Sequence, residues 1–259
     1  GGIAAQAANA GLPVLLFDVT KAAAAAAIER LLKTVPAPFM RAENARLITP
    51  FGIDSDLDQL KDCGWIVEAI VEKLDVKQQL YSRIEAMMAA DAIVSSNTST
   101  IPLSALTANA SAGFRKRFLI THFFNPPRHM RLLEIVSGPQ TDAEAVAAIS
   151  HFADISLGKS IVTCKDRPGF IANRLGCFWL QAAIAEAITQ GITVEEADAV
   201  MARPFGIPKT GVFALADLIG IDLLPHVNAS LAAALEPQDL FHTVNVPLPL
   251  VQRMIADGR

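Results

Sequence analysis

The sequence predicts an α/β chain, in which a mostly parallel sheet with helices on both faces is followed by an all-helical region. Three observations carry this. Over the first part of the chain, short apolar runs alternate with stretches of helical period. The turn cluster Lys165-Asp166-Arg167-Pro168-Gly169 then interrupts the pattern. Beyond it, the periodic segments have helical spacing. The expected domains are therefore residues 1–165 and 166–259.

Residues 1–10 are helical in composition, and Gly11 followed by Pro13 is a stop signal. Val14 to Asp18 reads as a short buried strand that ends in an acid. A helix opening on glycines, followed by such a strand, is the second half of a βαβ dinucleotide unit. In a full unit a strand and a G-x-G-x-x-G turn come first, so the chain reads as a piece cut ahead of Gly1. Asp18 is placed to accept hydrogen bonds from an adenosine ribose and to repel a 2′-phosphate; a helix N-cap is its other reading.

Lys21 to Lys33 is an alanine-rich helix, Arg46 to Thr49 a short strand and Asp54 to Asp62 a brief polar helix. Trp65 to Ile70 is the next strand. Lys73 to Met88 is amphipathic, with Leu74, Val76, Leu80, Ile84 and Met87 largely along one side. Strands are expected at Ala92 to Ser96 and Phe118 to Phe123, with Asn97-Thr98-Ser99 as a polar turn between them. Asp142 to Leu157 is a long helix and Ser160 to Cys164 the last strand. Helices follow over Ile171 to Gln190, Val194 to Met201, Phe213 to Leu218, Leu223 to Leu235 and Leu248 to Ala256. In sheets of this kind ligands bind beyond the carboxyl ends of the strands. Asp18, Ala69 to Glu72, Asn97 to Ser99 and His122 all fall at such ends.

His122 is followed by Asn125-Pro126-Pro127, which forces a turn, and by an apolar run from Leu132 to Val136 that carries one acid, Glu134. A chain reversal there brings Glu134 back beside His122. A carboxylate next to a histidine sets the ring tautomer and raises its basicity, as a general base near neutral pH requires. The same spacing also fits a solvated histidine and a surface carboxylate. Ser99 reads equally as a helix cap, Asn173 as a helix-start residue, and Glu72 and Lys77 as charges that complement a helix end. Arg115-Lys116-Arg117 fits either an anionic ligand or a solvated loop.

Composition narrows the class. The 259-residue chain is 52% hydrophobic and 19% charged, which supplies a sizeable core and argues against disorder. A net charge of −4 without a long basic stripe argues against nucleic acid as the main partner. The alanine run from Ala22 to Ile28 is far too short for a membrane span. Cys63, Cys164 and Cys177 show neither CxxC nor metal spacing. No metal is expected. A reducing cytoplasm is the expected compartment, with a mitochondrial matrix as the alternative.

Four stretches together resemble the L-3-hydroxyacyl-CoA dehydrogenases. They are Val67-Glu68-Ala69-Ile70-Val71-Glu72-Lys73, Ser96-Asn97-Thr98-Ser99, His122-Phe123-Phe124-Asn125-Pro126, and Lys165-Asp166-Arg167-Pro168-Gly169-Phe170-Ile171-Ala172-Asn173-Arg174. Their order and spacing cover nearly the whole chain. The run from Arg203 to Gly211 looks more like the larger bacterial members, in which this module is fused to an enoyl-CoA hydratase. The resemblance implies a Rossmann-type NAD-binding domain, then an all-α domain that completes the active site and forms a homodimer-like contact. It implies oxidation of the 3-hydroxyl of an acyl-CoA by NAD, in fatty-acid β-oxidation. His122 matches the catalytic base and Glu134 its acidic partner. Ser99 and Asn173 match the residues holding the substrate's 3-oxygen. Asp18 matches the ribose acid, and Glu72, Lys77 and Asn97 match residues lining the cofactor. Gly211-Val212-Phe213 stands where the family often has Gly-Pro-Phe, and the chain ends at Arg259 where members continue. Two rival readings remain: a hydroxyacid or sugar-acid dehydrogenase of the same two-domain plan, which uses a lysine base, and a non-catalytic relative that binds acyl-CoA or NAD.

Overall fold

The computed structural model describes residues 1–206 and 210–258. Ile207, Pro208 and Lys209, within the run compared above with larger bacterial proteins, lie outside the described residues, as does Arg259. The chain divides into two compact units, Gly1–Arg167 and Pro168–Arg259.

The first unit begins with α1 (Gly2–Asn9), which Gly11 ends at φ +81°. β1 (Val14–Asp18) follows, then α2 (Lys21–Lys33), whose Thr20 hydroxyl accepts from the Ala23 N–H as its cap. β2 (Ile48–Gly52) pairs in parallel with β1. It starts two residues later than the expected strand, because Ala42–Leu47 closes into a 3-10 turn that absorbs Arg46 and Leu47. The expected polar helix at 54–62 is likewise a 3-10 segment, Leu57–Asp62.

β3 (Trp65–Glu68), α3 (Leu74–Met87) and β4 (Ile93–Ser96) come next. Two short helices, α4 (Leu103–Leu106) and α5 (Ala112–Lys116), lead into β5 (Phe118–Phe123). β6 (Leu132–Ser137), α6 (Ala143–Ile155) and β7 (Ser160–Cys164) complete the unit. The strands form two sheets, β1-β2 and β3-β4-β5-β6-β7. Within the larger sheet only β5 and β6 run antiparallel. That pair is a hairpin, so it needs no crossover helix.

The strands of the larger sheet read as apolar runs because both faces are covered. All six residues of β5 are buried. Leu119, Phe123, Leu133 and Ile135 pack against Ala145, Ile149 and Ala153 of α6. α1 serves both sheets: Ala5 and Ala8 join the core of β1 and β2, while Ile3 packs on the core of the larger sheet. Two polar bonds pin strands β3 to β5 laterally, since the Trp65 indole N–H and the Thr121 hydroxyl both donate to the Ser95 hydroxyl, at 2.9 and 2.8 Å.

The expected apolar side of α3 is corrected by the structure. Its buried residues are Lys77, Tyr81 and Ile84, while Leu74 and Met87 are exposed. The reason is a buried carboxylate at the end of β3, which draws a lysine and a tyrosine inward where the hydrophobic pattern points elsewhere. Arg115 also departs from a purely solvated loop, because its guanidinium donates to the Thr107 and Ala108 carbonyls at 3.1 and 3.3 Å.

The second unit is helical throughout its described residues. It comprises α7 (Ala172–Gln190), α8 (Val194–Val200), α9 (Val212–Ile219), α10 (Leu223–Ala234), α11 (Phe241–Val244) and α12 (Pro249–Ala256). α11 has no counterpart in the periodicity, because four residues are too few to show a period. Leu180, Ile184 and Ala187 of α7 pack with Ala197, Val212, Ala216 and Leu224. Thr193 and Glu196 form a capping box on α8. No single helix among the described residues is long and apolar enough to cross a membrane.

The approach to α7 needs glycine at one position. Gly169 has φ +70°, and a Cβ there would meet the Arg174 N at 3.2 Å. Gly169→Ala is expected to destabilise the protein by about 1–3 kcal/mol, read as a fall in thermal midpoint; an unchanged midpoint would show that this turn relaxes freely.

Candidate active site

The parallel strands β3, β4 and β5 end on one edge of the larger sheet, with Glu68 beside Ser96 in register and His122 at the end of β5. The hairpin then settles the position of Glu134. In the β5–β6 register His122 lies directly opposite Glu134, the arrangement that brings cross-strand side chains together. His122 Nδ1 is 2.8 Å from Glu134 Oε2. The imidazole is 6% exposed and the carboxylate 1%. A carboxylate this deep is stable only with close partners. Its Oε1 also accepts from the Cys164 thiol at 3.6 Å, so β5, β6 and β7 each contribute to one polar row. With the shared proton on Nδ1, the basic lone pair of the ring lies at Nε2. Phe124 packs edge-on against the ring at 4.5 Å between centroids and limits its rotation.

Ser99 lies in the turn after β4. Its N–H donates to Glu72 Oε1 at 3.1 Å, and its hydroxyl makes no hydrogen bond among the described residues. It does not cap α4, which begins at Leu103. Glu72 also accepts from the Thr98 hydroxyl and from the Thr100 N–H and hydroxyl. Burial works against its charge, but the bonds from Thr98, Lys77 and Ser99 outweigh it and hold its carboxyl below the ordinary value. Those bonds persist through neutral pH and are lost only as pH falls through that lowered value. Lys77 sits between Glu68 and Glu72, 2.7 and 3.2 Å from their oxygens. Asn97 accepts the Phe123 N–H on Oδ1 at 2.9 Å, which ties the end of β4 to the residue after His122.

Asp18 ends β1, and its Oδ1 accepts the Val19 N–H at 2.7 Å. The helix that precedes this strand is α1. That helix opens on glycine with no acid in its first turn, the arrangement that suits a phosphate. Asn173 lies in the second unit, in the first turn of α7. Phe170, shortly before it, has φ +47°, a left-handed conformation unusual for a residue with a side chain.

Comparison with known proteins settles the family. Residues 1–167 match the family model described as the NAD binding domain of 3-hydroxyacyl-CoA dehydrogenase, and residues 169–259 match its C-terminal domain. The chain belongs to the 3-hydroxyacyl-CoA dehydrogenase family. Its first unit is the NAD-binding domain of that family. A putative fatty acid oxidation complex trifunctional enzyme of Rickettsia felis is 41% identical over 98% of this chain, which spans 36% of that protein. A probable 3-hydroxyacyl-CoA dehydrogenase of Deinococcus radiodurans is 42% identical over 87% of this chain and 67% of its own length. Among solved structures, the (S)-3-hydroxybutyryl-CoA dehydrogenase of Ralstonia eutropha is 31% identical, with a TM-score of 0.78 over 99% of this chain and 89% of that one. The chain thus spans about a third of the length of the trifunctional relative.

Two residues of this dehydrogenase fold escaped the sequence reading. Glu68 is 3% exposed and organises the end of β3. It lies in one of the four stretches that carry the resemblance, but no role was read for it there. Lys159 is 2% exposed, and its ammonium donates to the Pro127 and Met130 carbonyls, the latter at 2.8 Å. It also lies 5.5 Å over the Phe123 ring. Burial holds its ammonium below the usual lysine range. Lys159 therefore fastens the loop that follows His122. A lysine between a helix and a strand gave no hint of this.

Proposed function

We propose that this chain oxidises L-3-hydroxyacyl-CoA to 3-oxoacyl-CoA with NAD, as a step of fatty-acid β-oxidation. The observation that carries the reading is the buried His122–Glu134 pair, 2.8 Å apart at the carboxyl edge of the sheet. His122 Nε2 takes the proton of the 3-hydroxyl as C3 becomes a carbonyl carbon. Glu134 stabilises the imidazolium that forms. The Ser99 hydroxyl and the Asn173 amide donate to the 3-oxygen, where negative charge develops as the proton leaves. When bound, NAD supplies the acceptor for the hydride from C3. Asp18 holds the adenosine ribose, and Glu72, Lys77 and Asn97 shape the cofactor side of the site. In the reverse direction, the imidazolium returns its proton to the 3-oxygen.

A fused or associated enoyl-CoA hydratase, as the source of the 3-hydroxyacyl substrate, belongs to the same reading; the Rickettsia relative is named a trifunctional enzyme of a fatty acid oxidation complex. A homodimer through the helical domain is part of the same reading. Leu218, Ile219, Leu223 and Val227 are the exposed apolar side chains of α9 and α10 that such a contact would cover.

The test is NADH consumption with acetoacetyl-CoA. Turnover supports the reading, and its absence in folded protein that binds NADH would replace it with a binding role. Asp18→Ala is expected to weaken NADH binding by roughly 10–100-fold, the scale of a charged hydrogen bond, and to reduce discrimination against NADPH. Equal affinity in the variant, by fluorescence titration, would remove Asp18 from the cofactor site.

A further inference from the structure

We infer that Glu68 is a positioning residue of the active site, setting the Thr98–Thr100 turn that carries Ser99 through Lys77, Glu72 and Ser96. Its catalytic consequence rests on the proposed role of Ser99.

Glu68 is buried, and a carboxylate in that position needs partners for both oxygens. It has four. Oε1 accepts from the Ile70 N–H and from Lys77 Nζ, each at 2.7 Å. Oε2 accepts from the Tyr81 hydroxyl at 2.5 Å and the Ser96 hydroxyl at 2.7 Å. Burial, followed by the Glu68 charge, pushes the Tyr81 phenol well up, so it remains a donor.

Two routes lead from this carboxylate to the turn. In the shorter, Ser96 donates to Glu68 and its Oγ accepts the Thr98 N–H at 3.2 Å. In the longer, Lys77 is 1% exposed and divides its charge between Glu68 and Glu72. Glu72 Oε1 then gathers the Thr98 hydroxyl, the Ser99 N–H, and the Thr100 N–H and hydroxyl. The Asn97 N–H donates to the Glu68 carbonyl at 2.8 Å, so main chain and side chain act on the same turn. Glu72 is 38% exposed and would be mobile without its cation. Lys77 in turn is held between its two carboxylates. Glutamine at position 68 leaves Lys77 a single anionic partner. The ammonium then follows Glu72 and draws that carboxylate off the Ser99 N–H.

Hydrogen exchange of the peptide covering residues 97–101 tests this, together with kcat and KM for acetoacetyl-CoA. Glu68→Gln is expected to lower protection of that peptide by about tenfold or more, the scale of a hydrogen bond to a charged group. Protection of β5 residues 118–123 should stay unchanged. The same variant should lose about tenfold in kcat, with Ser99→Ala costing much less in its background than in the parent. The double variant Glu68→Gln/Lys77→Met removes both buried charges. It should recover the thermal midpoint without recovering protection of the turn, which separates positioning from stability. If Glu68→Gln does not fold, the double variant and Tyr81→Phe carry the same measurement. Unchanged protection of residues 97–101, or full additivity with Ser99→Ala, overturns the inference. An inactive parent refutes the proposed function instead, while exchange still decides whether Glu68 sets the turn.

Discussion

His122→Ala is expected to lower kcat with acetoacetyl-CoA by about 10²–10⁴-fold, the range that a positioned general acid–base group contributes, while NADH binding stays within about twofold of the parent. The imidazole faces Glu134 and Phe124 at the end of β5, and its removal takes away the proposed proton acceptor without touching Asp18 or the start of α1. The space left by the ring is lined by Phe124 and by the Glu134 carboxylate, so a stability loss accompanies the kinetic one. Thermal midpoint and NADH titration must therefore be read with kcat. Parallel loss of turnover and NADH binding would make His122 a structural residue and remove the base from the mechanism.

Glu134→Gln is the second large effect. A neutral amide keeps the shape of the side chain but cannot offset the charge of an imidazolium. The pair is almost wholly buried, so little water is present to screen the loss. A fall in kcat of roughly 10²-fold is expected, in line with breaking a buried charge pair. An unchanged kcat in a variant that folds and binds NADH as the parent does would refute the pairing.

Much of this site was legible in the chain itself. Alternating apolar and helical periods predicted β1, α2, β5 and β7 within their observed bounds, because those elements rest on local preferences and on faces buried as the period demands. The turn after His122 and a single acid in the following apolar run left the pair and a solvated histidine both open; the hairpin register places His122 opposite Glu134. Asp18 was legible as an acid closing a short strand.

The arrangement around Glu68 was decided by tertiary structure alone. Glu68 ends β3, Lys77 and Tyr81 lie on α3, Ser96 ends β4 and Glu72 lies between elements. No period joins these positions. Their pairing depends on α3 packing across the ends of two parallel strands, which supplies a buried carboxylate with a cation and a phenol. A hydrophobic pattern treats lysine as an outward residue and therefore missed Lys77 and Tyr81 on the face it had assigned in part through Ile84. Lys159 is a parallel case, because the carbonyls that hold it belong to the loop between β5 and β6. Local periodicity thus determined the elements. Which polar side chains are buried was decided only when distant elements brought them partners, because burying a charge is tolerable only where those partners meet it.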